Sequence, residues 1–176
     1  NSQAIVLDVA RLDERMVTGA EAYFYTSLNF KKYWAAMEGK TPMLQSFAAG
    51  NGKTVAVDGE RIDTSWFVAG KNEFTITTKS QLYGFMMLSY GGEKFINMTV
   101  KLGADIVANP GVASDWAAGT QIADRKWEPI YNFQGTFDGQ GHHISGIYGI
   151  ATGVHADRNG MGMFIESRSA CTIKNF

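Results

Sequence analysis

The side chains best suited to chemistry gather in the last third of the chain. Asp138, His142, His143 and His155 have the types that bind divalent metals. Adjacent histidines on a strand point to opposite faces, so a solvated strand edge accounts for His142-His143 better than one shared ion. Asp138-Gly139 lies in a glycine-rich turn like that of a calcium loop, yet it brings one carboxylate where calcium takes several oxygens. Asp138 is expected instead to accept backbone N–H groups at a corner. Sugar-chain cleavage would need paired carboxylates, or a base beside an arginine, on one face. The charged groups at hand, Asp157-Arg158 and Glu166-Ser167-Arg168, fall in loop-like stretches. Cys171 abuts Thr172-Ile173 and reads as a small core residue, not a nucleophile. Trp34, Trp66, Trp116 and Trp127 could stack on sugar rings, but beside Pro and Gly turns they read as packing anchors. The expectation is no catalytic residue, no cofactor site and no metal ligand.

The elements that would position these groups follow from composition and pattern. The chain has 176 residues, with 20 Gly and only 3 Pro, and 19% of residues are charged. That balance suits a turn-rich β architecture. Sixteen Lys+Arg against seventeen Asp+Glu give a net charge of −1, without the basic footprint of a nucleic-acid binder. Apolar runs such as Phe85-Met86-Met87-Leu88 are too short to enter and cross a bilayer, and one cysteine builds no internal disulfide framework. The chain starts at Asn1 without a basic-then-apolar leader, so either a targeting segment has been removed or the chain comes from something longer.

Three stretches are expected: a block at 1–49, a linker at 50–72, and a second unit at 73–176. In the first, Ala4-Ile5-Val6-Leu7 reads as a short strand. A helix through Trp34-Ala35-Ala36-Met37 would break at Gly39 and stop at Pro42. In the second unit, Thr78 with Gln81 three residues on has the spacing of a capping box. Leu82, Phe85, Met86 and Ser89 follow at helical spacing as far as Gly91-Gly92, predicting an amphipathic helix at about 79–90. The period then drops to two: Ile96, Met98, Val100 and Leu102 alternate with polar residues as a half-buried strand, with rungs from about 95. Residues 103–126 hold Asn109-Pro110-Gly111 and Trp116 and read as an irregular excursion.

The C-terminal residues repeat. Phe137 to Phe164 is 27 residues, and Ile144 to Ile173 and Ile147 to Phe176 are each 29. A period in the twenties, with short strands and glycine turns, predicts a mainly β fold: an incomplete right-handed parallel β-helix, a pectin-lyase-like solenoid with one short capping α-helix. Ile144 and Ile173 would then be stacked neighbours on adjacent parallel strands.

Trp127-Glu128-Pro129-Ile130, followed by the run Phe133-Gln134-Gly135-Thr136-Phe137-Asp138-Gly139-Gln140-Gly141-His142-His143-Ile144, resembles the opening rung of GLUG-type β-helix modules. Phe74 to Leu82 looks like their capping helix, Thr99 to Ile106 like their first long strand, and Gly162-Met163-Phe164 and Thr172 to Phe176 like a later turn and strand close. The likeness covers about residues 58–176. Lys40 to Phe47 looks like the end of a preceding module of the same type. Two positions depart from the pattern: His143 stands where Thr is usual, and Glu166 where Gly is expected.

GLUG-type modules occur in large secreted and surface proteins of bacteria. The resemblance therefore implies a non-catalytic structural or adhesive module, outside the cell or on its surface, with a glycan or a host surface protein as partner. The alternative is part of a polysaccharide-active enzyme, or an accessory domain of a surface peptidase. No nucleic acid, membrane insertion or cofactor is expected. A rung left open at Phe176 would need a cover, which is expected from a continuation of the polypeptide, from another chain, or from residues 1–49 through the aromatic stretch Tyr23 to Trp34.

Overall fold

A computed structural model describes residues 14–26, 28–57, 61–112, 114, 127–148, 162–165, 167 and 171–176. Ala4 to Leu7, Asp58-Gly59, Trp116, His155, Asp157-Arg158, Glu166 and Arg168 lie outside the described residues. The described residues fall into two compact units, one within Val6–Ile62 and one within Asp63–Phe176.

In the first unit a 3-10 turn, Glu14–Val17, precedes helix α1, Glu21–Tyr25. Strands β1, Trp34–Met37, and β2, Lys40–Leu44, form an antiparallel hairpin. The short helix α2, Gln45–Ala48, leads to β3, Thr54–Val55, which pairs antiparallel with the other side of β1. Trp34 to Met37, where any helix would have had to end by Pro42, is thus a strand. Ala and Met are good helix formers, but pairing on both sides outweighs that local preference. Gly39, at φ +63°, turns the hairpin, and Pro42 sits in β2 at the sheet edge, beside an irregular register, where a missing N–H does no harm. Ala22, Phe30 and Ala36 form the small core, with Tyr23, Leu28, Trp34, Val55 and Val57 packed against it. Arg61 fastens the chain after α1: its Nε donates to the Tyr23 carbonyl at 3.0 Å and one terminal nitrogen donates to Thr26 and Leu28 carbonyls at 2.6 and 2.7 Å.

The second unit is built on a four-stranded parallel sheet in the order β11-β8-β5-β4. Its strands are β4, Glu73–Ile76, β5, Thr99–Leu102, β8, Thr136–Asp138, and β11, Thr172–Lys174. Phe74, Val100, Phe137 and Ile173 stand side by side across it. Two further parallel pairs complete the strands: β6, Ile106–Val107, with β9, Ile144–Ser145, and β7, Ile130–Tyr131, with β10, Phe164–Ile165. Helix α3, Lys79–Tyr90, starts at Thr78, whose hydroxyl accepts from Gln81 N–H at 3.2 Å. The Gln81 side chain reaches back to Thr77 N–H at 2.8 Å, one residue earlier than in a regular capping box. α3 is not amphipathic: Ser80 and Leu82 through Ser89 are all buried, so it lies in the core. Phe85 at its centre has ring contacts with Phe95 and with Phe137, centroids 4.9 and 5.8 Å away.

These features overturn the expected solenoid. The strands form several small, separate sheets, antiparallel in one unit and parallel in the other. Ile144 and Ile173, which had to be stacked neighbours, are in different sheets: Ile144 faces Ile106 and Ile173 faces Phe137. The repeat matched glycine turns, and glycine marks turns whatever sheet follows them. The alternation over 96–102 also fails in its first half. Phe95 and Asn97 both adopt φ of 57°, and Ile96 between them is exposed, so the strand begins only at Thr99.

Candidate functional site

The residues singled out for metal chemistry occupy two corners. Asp138 ends β8 and is only 5% exposed. Its Oδ1 accepts from the Asn175 side-chain amide at 3.0 Å and from Gln140 N–H at 3.1 Å, and Oδ2 lies 3.3 Å from Lys174 Nζ. The Asn175 bond, with smaller help from Gln140 and Lys174 and against the opposing effect of burial, holds its carboxyl down at about 2. The backbone N–H expected for Asp138 is there, joined by two side chains that its local sequence does not announce.

His142 and His143 precede β9 and so do not alternate as strand residues. Both turn to one carboxylate, Asp105, which sequence reasoning passed over. Asp105 Oδ1 accepts from His143 N–H at 2.9 Å and lies 3.2 Å from His142 Nδ1 and 3.7 Å from His143 Nδ1. The His143 N–H bond, then the His142 ring, lower the Asp105 carboxyl. The only advance signal was an acid before the strand that pairs with the histidines' strand. Among the described residues no group of three or more His, Cys, Asp or Glu is arranged to hold a metal ion. At both corners the acids tie loops together.

The tryptophans divide. Trp127 is buried; its Nε1 donates to the Met163 carbonyl at 3.3 Å and its ring lies 5.7 Å from Tyr83. Trp66 packs on Phe74 at 5.6 Å, and its buried Nε1 has no hydrogen-bond partner among the described residues. Cys171 is a free, half-buried thiol before β11. Trp34 lines a cavity.

That cavity is an open groove of about 610 Å³ in the first unit. Phe30 and Trp34 line it beside the small residues Ala36, Ala48 and Gly52, and Thr54 to Val57 form one margin. None of the described side chains that line it is ionisable. Its one side-chain amide, Gln45, donates from Nε2 to the Phe30 carbonyl at 3.0 Å and the Trp34 carbonyl at 3.3 Å. Such a surface can hold a neutral group by burial and aromatic contact, and its described side chains offer no acid or base to activate a nucleophile.

Among the described residues no helix is long and apolar enough to cross a membrane. Comparison with protein-family models, curated proteins and solved structures finds no match to this chain.

Proposed function

We propose that this chain is a non-catalytic structural or adhesive module that binds a partner in the groove beside Trp34. The observation that carries the reading is the groove's lining: among the described residues it is aromatic, small and neutral, with no ionisable side chain. The perturbed acids support it from the other side, because Asp138 and Asp105 are engaged in holding corners. The likeness of Phe133 to Ile144 to GLUG-type modules supports a bacterial protein outside the cell or on its surface, with a glycan or a host surface protein as partner.

The test sets the purified chain against a glycan array, immobilised host surface proteins and a panel of polysaccharides assayed for depolymerisation. Saturable binding that Trp34→Ala weakens, without turnover, is the expected result. Depolymerisation of any polysaccharide would defeat the reading and return the chain to the enzymes.

A further inference from the structure

The margin of the groove is the edge of a sheet. β3 pairs with β1 on one side, and among the described residues no strand pairs with its other side in the order β2-β1-β3. Glu38 N–H donates to the Lys53 carbonyl at 2.8 Å, in the same register as Ala36 opposite Val55 and Met37 opposite Thr54. Because hydrogen-bonded and non-bonded pairs alternate along an antiparallel ladder, the N–H and C=O groups of Thr54 and Ala56 point away from β1. Both residues are exposed, and neither makes a further hydrogen bond to a described residue. A free strand edge beside an apolar cavity is the geometry used to capture an extended peptide: main-chain bonds supply affinity and the cavity selects a side chain.

Charge narrows the occupant. Lys53 is paired with Glu38 at 3.1 Å. Lys40 Nζ, beside Gly52 at the end of the groove, donates to the Asn51 carbonyl at 2.8 Å and makes no ion pair with a described residue. A sugar would need side-chain donors and acceptors for its hydroxyls, and the groove's only amide already donates to two backbone carbonyls. Beside the Thr54 hydroxyl and the Gln45 side-chain oxygen, the polar groups that this margin presents are main-chain N–H and C=O groups in strand register, which match another backbone.

We propose that the groove takes an extended peptide segment of a partner protein, which adds as a strand to the free edge of β3, sets one apolar side chain against Phe30 and Trp34, and places a carboxylate beside Lys40. The proposal rests on reading the groove as the binding site and adds the class of partner.

The test uses the whole chain, isotope-labelled, titrated with a blocked hexapeptide of alternating threonine and valine that ends in aspartate. Saturable shifts of the Thr54 to Val57 amides are expected. They should weaken about tenfold when the peptide is N-methylated on its β3-facing edge, the loss that one or two hydrogen bonds produce. Lys40→Glu should weaken the aspartate peptide and favour the same peptide ending in lysine. Ala56→Pro removes an outward N–H and spares the β1 ladder, so it should weaken binding up to about tenfold without changing the melting curve. Should that variant unfold, the N-methylated peptide still decides on the unaltered chain. Binding indifferent to N-methylation, or a concentration-dependent dimer that occupies β3, would overturn strand addition. A glycan that shifts these amides when no peptide does would sink strand addition and leave the groove a binding site. If neither shifts them, both readings fall.

Discussion

At the scale of single residues, the chain uses ionised side chains to hold corners, and Asp138 is the best defined. Its carboxyl is held at about 2, first by the Asn175 amide and then by Gln140 N–H and Lys174, with burial opposing them. A depressed folded-state value means that the folded chain binds fewer protons than the unfolded one between that value and the ordinary carboxylate range. Its stabilising contribution is therefore complete above the ordinary range and is lost as pH falls toward 2. Carbon-13 titration of the Asp138 carboxyl should place its midpoint near 2, and Asn175→Ala should move it upward. A midpoint unchanged by that substitution would remove Asn175 as the main cause. The local part of this corner was legible, because an acid two residues before Gln140 N–H is a turn signal. The distant part was not. Asn175 lies 37 residues from Asp138, and Asp105 lies 37 and 38 residues from the two histidines it meets. Only strand pairing brings such residues together, and spacing along the chain carries no trace of it.

At the scale of elements, local chemistry was readable where it acts locally. The start of α3 follows from Thr78 and Gln81, whose bonds span three or four residues. The hairpin β1–β2 was hidden because Trp34 to Met37 combines a helix-favouring composition with strand pairing on both sides. Gly84 shows how packing reverses a propensity rule. In a helix interior, alanine is favoured over glycine by about 1 kcal/mol. Here a Cβ would collide with the Asp63 carbonyl and press on Trp66 Nε1 at 3.2 Å. Gly84→Ala should thus destabilise its unit by about 2–3 kcal/mol, as overpacking of a closed core does, read as a lower denaturant midpoint. A raised midpoint would show that propensity wins. In the other unit, Arg61 holds three carbonyls at once and lies 4.9 Å from the Tyr23 ring centroid. Lysine cannot reproduce that fork. Arg61→Lys should lower the stability of that unit by about 1–2 kcal/mol through lost charge-assisted bonds, and equal stability of the two proteins in urea would contradict the clamp.

At the scale of the whole molecule, stability should be graded across the parallel sheet, because burial is graded across it. Phe74, Val100 and Phe137 are 5, 0 and 0% exposed, whereas Ile173, next in the same row, is 44% exposed. All three residues of β11 are exposed, while β5 and β8 are paired on both sides. Opening free energies follow buried apolar contact and hydrogen-bond protection. The amides of α3 and β5 should therefore exchange slowest in the second unit and those of β11 fastest. Truncation should follow the same order. Phe137 packs on Phe85 and on Phe164, at 5.8 and 5.3 Å, in the middle of the aromatic core. Phe137→Ala should cost about 3–5 kcal/mol, the usual loss for a buried aromatic ring. Ile173→Ala removes a side chain that still meets water and should cost under about 1 kcal/mol, close to the range of surface substitutions. Chemical denaturation of the two variants decides the matter. If Ile173→Ala proves as damaging as Phe137→Ala, β11 is an integral core strand and the gradient across the sheet is wrong.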